Sequence, residues 1–147
     1  MVWLVALSAA MSGVMCGLVW FVQLVHYPLM SHPGHAGEGR WSAYHAGHTT
    51  RTTWVVAPAM VGELATAAAL LVWLGASGAW WVWAQAALAA LAWAVTFALQ
   101  VPQHGRLSRG FDADLHRRLV AGNWVRVVIW TARFVLMLTV LAAGWAR

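Results

Sequence analysis

NWVRVVIWTAR, residues 123–133, decides how this chain folds, because it sets two arginines inside an otherwise apolar helical run. Arg126 and Arg133 stand seven residues apart and share one helix face with Asn123 and Trp130. A guanidinium near the centre of a bilayer costs ~2.5–3.5 kcal/mol even on the most lenient insertion scale, so this stripe must face a protein interior and find an anion there. Glu63 is placed to be that anion. It lies nine residues beyond Trp54, as Arg133 lies nine beyond Trp124. With both tryptophans in one interfacial belt, the two charges reach the same depth, roughly 13–14 Å at 1.5 Å per residue. The spacing predicts a Glu63–Arg133 contact between two helices, and two roles fit it. One is an ion pair that only pins the helices together. The other is a catalytic set in which Glu63 takes protons or binds a metal while Arg133 or Arg126 tunes it.

The rest of the composition agrees with a membrane setting. Of 147 residues, 62% are hydrophobic and 9% are charged, with a mean hydropathy of +0.67. Four apolar runs, Val2–Val25, Trp54–Leu74, Trp80–Leu99 and Trp124–Trp145, each have about the ~20 residues that a bilayer demands. Backbone groups in hydrocarbon must be bonded within their own segment, and no run alternates like a barrel strand. The expected fold is therefore all-α, a single integral membrane four-helix bundle over residues 1–147 with short cytoplasmic interfacial helices. The first run lacks a basic leader and a small-residue cleavage site, so it is expected to remain as a span. Cys16 is the only cysteine, which excludes an internal disulfide or a thiolate cluster within one chain.

The net charge of +5 rests on nine arginines and no lysine. They gather at the ends of the apolar runs, so a bilayer and not nucleic acid is the expected partner. Arg40, Arg51, Arg106, Arg109, Arg117 and Arg118 fall on one side and Arg147 on the other. By the positive-inside rule both termini are expected on the non-cytoplasmic side of the membrane. Homo-oligomer formation is compatible with this arrangement.

The loops carry the histidines. Gln23 and His26 share a helix face, and Pro28 is expected to end the first helix. SHPGHAGEG, residues 31–39, reads as a break, whereas WSAYHAGHTTR, residues 41–51, has helical spacing. His45 and His48 there form a His-x-x-His pair that can present two imidazoles to one metal. GASGA, residues 75–79, is a tight turn, and WWVW at 80–83 sits where an outer aromatic belt belongs. The alanine-rich third run reads as a packing helix. Asp112 is placed to cap a short helix bearing His116. Gln100 and His104 echo Gln23 and His26, each close to a proline, which points to a duplicated hairpin.

All seven histidines lie on the cytoplasmic side. His26, His45, His48, His104 and His116 are the candidate ligands for a transition metal, Fe, Cu or Zn. Non-covalent haem, with His26 and His104 as axial ligands, is the other cofactor this set allows; the absence of CxxCH excludes covalent attachment.

QLVHYP, YHAGH, WVVAPAM with the following Glu63, VPQH, GFD, HRRLV and NWVRVVIWTAR together resemble a widespread group of uncharacterised bacterial four-span membrane proteins, over nearly the whole chain. More distantly, the VP, NW and paired-arginine features resemble the anthrone oxygenase-like membrane family. An asparagine often follows the proline in that pattern, where this chain has Gln103 and His104. Named members of that family oxidise polyketide anthrones, and this resemblance together with the histidine set leads to the expectation of a metal- or haem-dependent membrane oxidoreductase or oxygenase acting on a lipophilic small molecule. The alternative is a non-enzymatic scaffold or small carrier in which Glu63, Arg126, Arg133 and Asn123 only lock the bundle.

Overall fold

The structure, a computed structural model, describes residues 1–144; Trp145 and Arg147 lie outside the described residues. The described chain is helical throughout, with no strand among the described residues. Helix α1 (Val2–Phe21) passes through a π-helical turn (Val22–His26) into α2 (Tyr27–His35). After a break at Ala36 and Gly37 comes α3 (Glu38–Leu74), then a short 3₁₀ turn, α4 (Trp80–Val95), a second π-helical turn (Thr96–Gln100), α5 (Val101–Leu107) and α6 (Ala113–Ala142). Four continuous helical stretches are long and apolar enough to cross a membrane: Val2–His35, Glu38–Ser77, Trp80–Leu107 and Ala113–Ala142.

Helix α1 packs on α3 and α6, and α4 packs on the same two. Helices α3 and α6 therefore face each other across the centre of the bundle, which is where the Glu63 and Arg133 side chains meet. Apolar layers lie along the axis. Val5, Leu70, Val82, Met137 and Val140 fill the end near the 75–79 turn. Met15, Val19, Met60, Ala92 and Trp130 fill the middle. Tyr27, Met30, Trp41, Leu107 and Leu119 fill the end that carries the exposed arginines. The outer face is apolar as well: Leu24, Val61, Val72 and Val128 are all at least 57% exposed, a surface suited to lipid contact.

Three expectations need correction. Pro28 does not end the first helix. The π-helical turn before it lets the Tyr27 N–H bond to the Val22 carbonyl, five residues back, and the widened turn accommodates the proline ring and its missing donor. The same device recurs before Pro102, where the Val101 N–H reaches the Thr96 carbonyl. The duplicated hairpin suspected from Gln23/His26 and Gln100/His104 thus carries a matching backbone irregularity in each half. Second, residues 31–35 stay helical and the chain turns only at Gly37, whose φ of 109° lies in the region that favours glycine. Third, the segments at 41–51 and 112–122 are not separate short helices; each is the first turns of a long one, α3 or α6. In addition Trp81, unlike the exposed Trp80 and Trp83 beside it, turns into the core.

Asp112 caps α6 as expected: its Oδ1 accepts from the Asp114 and Leu115 backbone N–H groups, each at 2.9 Å. The Leu115 bond foremost, then the Asp114 bond and the nearby Arg106 and Arg118 charges, hold the Asp112 carboxyl below the usual carboxylate range. A carboxyl with a depressed folded pKa contributes stability above its unfolded pKa and loses it as pH falls through the folded one. The first turn of α6 should therefore fray on acidification. Protection factors at the Asp114 and Leu115 amides should fall below about pH 4, the usual carboxyl range, and Asp112→Ala should show the low protection at neutral pH already.

Candidate functional site

Two polar assemblies are buried in the bundle. The first forms around Arg133 and draws on all four long helices. Its Nη1 donates to Glu63 Oε1 at 2.6 Å and to Ser12 Oγ at 2.9 Å. Its Nη2 donates to Gln85 Oε1 at 3.0 Å and to Ser8 Oγ at 3.3 Å, and its Nε donates to the Gln85 carbonyl at 3.2 Å. The other Glu63 oxygen accepts from Trp130 Nε1 at 2.6 Å. Glu63 and Arg133 both have 0% exposure. The carboxylate and guanidinium meet as the tryptophan spacing predicts, and their partners saturate both. Neither lines the two cavities described below.

The second assembly sits where α2 and the first turns of α3 fold against α5 and α6. It brings together four of the five candidate histidines. His26 Nε2 lies 2.7 Å from His48 Nδ1, with Thr52 Oγ1 also 3.0 Å from that nitrogen. The His48 ring packs 5.4 Å from that of His104, and His104 Nδ1 lies 3.4 Å from His45 Nε2. Regular helix geometry explains part of this: His45 and His48 are three residues apart on α3 and face inward together. The rest depends on the π-helical turns, which rotate His26 and His104 inward from the ends of their helices.

His116 belongs elsewhere. Its Nε2 is 3.0 Å from the Tyr27 backbone carbonyl, to which it donates, and its ring packs on Phe111. This fixes α6 to α2 and leaves the ring apart from the other four. His32 and His35 are exposed.

Tyr27 orients the cluster. Its hydroxyl donates to Gln100 Oε1 at 3.1 Å and lies 3.2 Å from His104 Nε2. A hydroxyl has a single proton, so the His104 Nε2–H must be the donor in the second contact. That fixes the tautomer and leaves the His104 Nδ1 lone pair directed at His45. No sequence signal singled out Tyr27 or Gln100 for this part, although both sit beside the proline motifs.

A cavity of about 370 Å³ runs from this cluster between α1, α3 and the second π-helical turn with the start of α5. Met15, Val19, Val56, Met60 and Phe97 supply apolar wall, and the polar lining includes Tyr27, His48, Gln100, His104 and Arg126 together with four threonines, Thr49, Thr52, Thr53 and Thr96. A second cleft of about 360 Å³, lined by Tyr44, Arg51 and His26, reaches His48 from its other side. Arg126 donates from Nη1 to Asn123 Oδ1 at 3.2 Å, and its guanidinium lies 5.1 Å from the centre of the Trp130 ring. The Asn123 amide in turn packs 2.9 Å from that of Gln23, beside Trp124 Nε1 and the Val120 carbonyl.

The fit of a cofactor can be judged from these distances. Two nitrogens bound to one tetrahedral ion at ~2.0–2.1 Å stand roughly 3.3 Å apart. The His45–His104 pair has that spacing; the His26–His48 pair, at 2.7 Å, has the spacing of a shared proton. Among the described residues no group of three or more His, Cys, Asp or Glu side chains is arranged to hold a metal ion. Haem fits less well: the His48 ring contacts both His26 and His104, so a macrocycle between those two would have to displace it. Comparison of the chain with protein-family models, curated proteins and solved structures finds no match.

Proposed function

We propose that this chain is a membrane-embedded oxidoreductase or oxygenase acting on a lipophilic small molecule, with the imidazole cluster as its reaction centre. The observation that carries this reading is that His48 and His104 belong both to the cluster and to the wall of the apolar cavity. A ligand in the cavity meets imidazole nitrogen at its polar end and is shielded elsewhere by aliphatic side chains, an arrangement common to small-molecule sites. His45 and His104, whose nitrogens have the spacing of two ligands on one ion, would be the protein's two ligands for a transition metal, and the remaining positions would fall to water or substrate. Fe or Cu bound there would supply one-electron chemistry; Zn would supply only Lewis acidity. The chain's own groups then divide the work: Tyr27 sets the His104 tautomer, and His26 and His48 pass protons between the aqueous cleft and the cavity.

Protein purified without a histidine tag in a neutral detergent should hold metal at about one ion per chain and lose most of it on His104→Ala. Folded protein that takes up no Fe, Cu or Zn on reconstitution would sink the metal centre. It would also leave the rival reading, a non-enzymatic scaffold or small carrier, in possession. That rival has one observation in its favour, the closed Glu63–Arg133 network, which assigns those two residues a structural task. We place them outside the reaction centre and keep Arg126 within it.

We further propose a bacterial inner-membrane location with the termini outside the cytoplasm. It is supported by the six exposed arginines, Arg40, Arg51, Arg106, Arg109, Arg117 and Arg118, which all lie at the histidine end of the bundle.

A further inference from the structure

Arg126 is 8% exposed, sits in the bundle interior, and forms no ion pair with any described carboxylate. Its Nε has no hydrogen-bond partner. Arg133, the neighbouring buried cation, shows what such a group ordinarily requires: a carboxylate and a full set of acceptors. Arg126 has one amide oxygen, the face of an indole and the neighbouring Tyr27 hydroxyl, none of which carries a negative charge. An arginine stays protonated in proteins, and a buried charge without a counter-ion is strongly unfavourable. The side chain lines the apolar cavity, so the missing anion can arrive only with the cavity's occupant.

We infer that the cavity binds a single-chain amphiphile with an anionic head, a long-chain carboxylate, whose head pairs with Arg126 and whose alkyl chain lies among Met15, Val19, Val56, Met60 and Phe97. This names the substrate class and rests on the reading that the cavity holds a lipophilic molecule. The volume, near the small end of the ~300–1,000 Å³ of ligand sites, suits one chain and not the two of a phospholipid. A carboxylate matches the guanidinium fork through two parallel hydrogen bonds, and the unpartnered Nε supplies one edge of that fork. Because Arg126, His48 and His104 line the same cavity, the carbons nearest the carboxylate lie beside the imidazoles and the chain terminus does not.

The test compares palmitate, methyl palmitate and hexadecanol binding to the full chain in discs of neutral phosphatidylcholine. The wild-type protein should bind palmitate at least about tenfold more tightly than the two neutral ligands, the order expected for a charge-assisted pair. Arg126→Lys, which keeps the charge and loses the fork, should keep only part of that preference, and Arg126→Gln should abolish it. Ala57→Trp, which fills the cavity from an exposed wall position, should weaken all three ligands together. Equal binding of acid and alcohol by wild-type protein overturns the anionic-head proposal and leaves the lipophile cavity standing. Folded protein that binds none of the three overturns both. Displacement of palmitate by phosphatidylglycerol at equal concentration would mean that bilayer lipid is the occupant, and would overturn the single-chain assignment. The comparison within wild-type protein needs no variant, so a misfolded Arg126→Gln does not remove the test.

Discussion

Glu63→Ala should destabilise the bundle by about 3–5 kcal/mol, the usual consequence of removing one partner from a buried ion pair. The loss exceeds that of one contact because the carboxylate neutralises a cation with 0% exposure. Without it Arg133 keeps Ser8, Ser12 and Gln85, which satisfy its hydrogens and leave its charge uncompensated. Trp130 Nε1 also loses its acceptor. Unfolding in mixed detergent micelles measures the effect, and a loss below about 1 kcal/mol, the scale of an exposed pair, would contradict the clamp. Exchanging the charges, Glu63→Arg with Arg133→Glu, should not restore stability. The surroundings are polarised: Trp130 offers a donor at the Glu63 side, while the Gln85 carbonyl offers an acceptor at the Arg133 side. An exchanged pair would place each charge against groups of the wrong kind. Recovery to the wild-type value would show that only the pair, and not the layer around it, matters.

This layer also shows what the sequence could reveal. Two charges in apolar runs, each nine residues past a tryptophan, were sufficient to pair Glu63 with Arg133, because both helices start at the same face and helix rise is constant. The partners were less visible. Ser8 and Ser12 are ordinary in a membrane helix, where a hydroxyl can bond to its own backbone, and Ser12 does donate to the Ser8 carbonyl. Only their spacing of four, on a face pointing at an arginine from another helix, gives them a role. Gln85 lies in a run that reads as small-residue packing, yet its amide links Ala67 of α3 to Arg133.

At the histidine end the residues were legible and their grouping was not. Local spacing places His45 with His48, but the positions of His26 and His104 depend on where two helices bulge, and a proline alone does not say whether a helix stops or widens. His116 was grouped with the others because it shares their end of the chain's topology. Its contact with the Tyr27 carbonyl comes from packing between α6 and α2, which periodicity does not encode.

Tyr27 is the residue where these points meet, and it gives the sharpest separation of reaction centre from scaffold. Tyr27→Phe should keep the fold, because the ring is 2% exposed and the phenyl group fills nearly the same space. It removes the hydroxyl that holds His104 in one tautomer and that also bonds Gln100, at a stability cost of about 1–3 kcal/mol for the buried groups left unpaired. Removing an outer hydrogen bond to a metal-ligating histidine typically lowers metal affinity 10–100-fold, so Tyr27→Phe should also lose metal by about that factor. His116→Ala should lower stability by about 0.5–1.5 kcal/mol through the lost hydrogen bond to the Tyr27 carbonyl, with the ring's packing on Phe111 lost as well, while metal affinity holds. Metal titration therefore separates the two variants, while unfolding shows a loss in both. A purely structural role for the whole histidine end would instead move stability in both variants and metal in neither, since every ring would then act only through packing and hydrogen bonds.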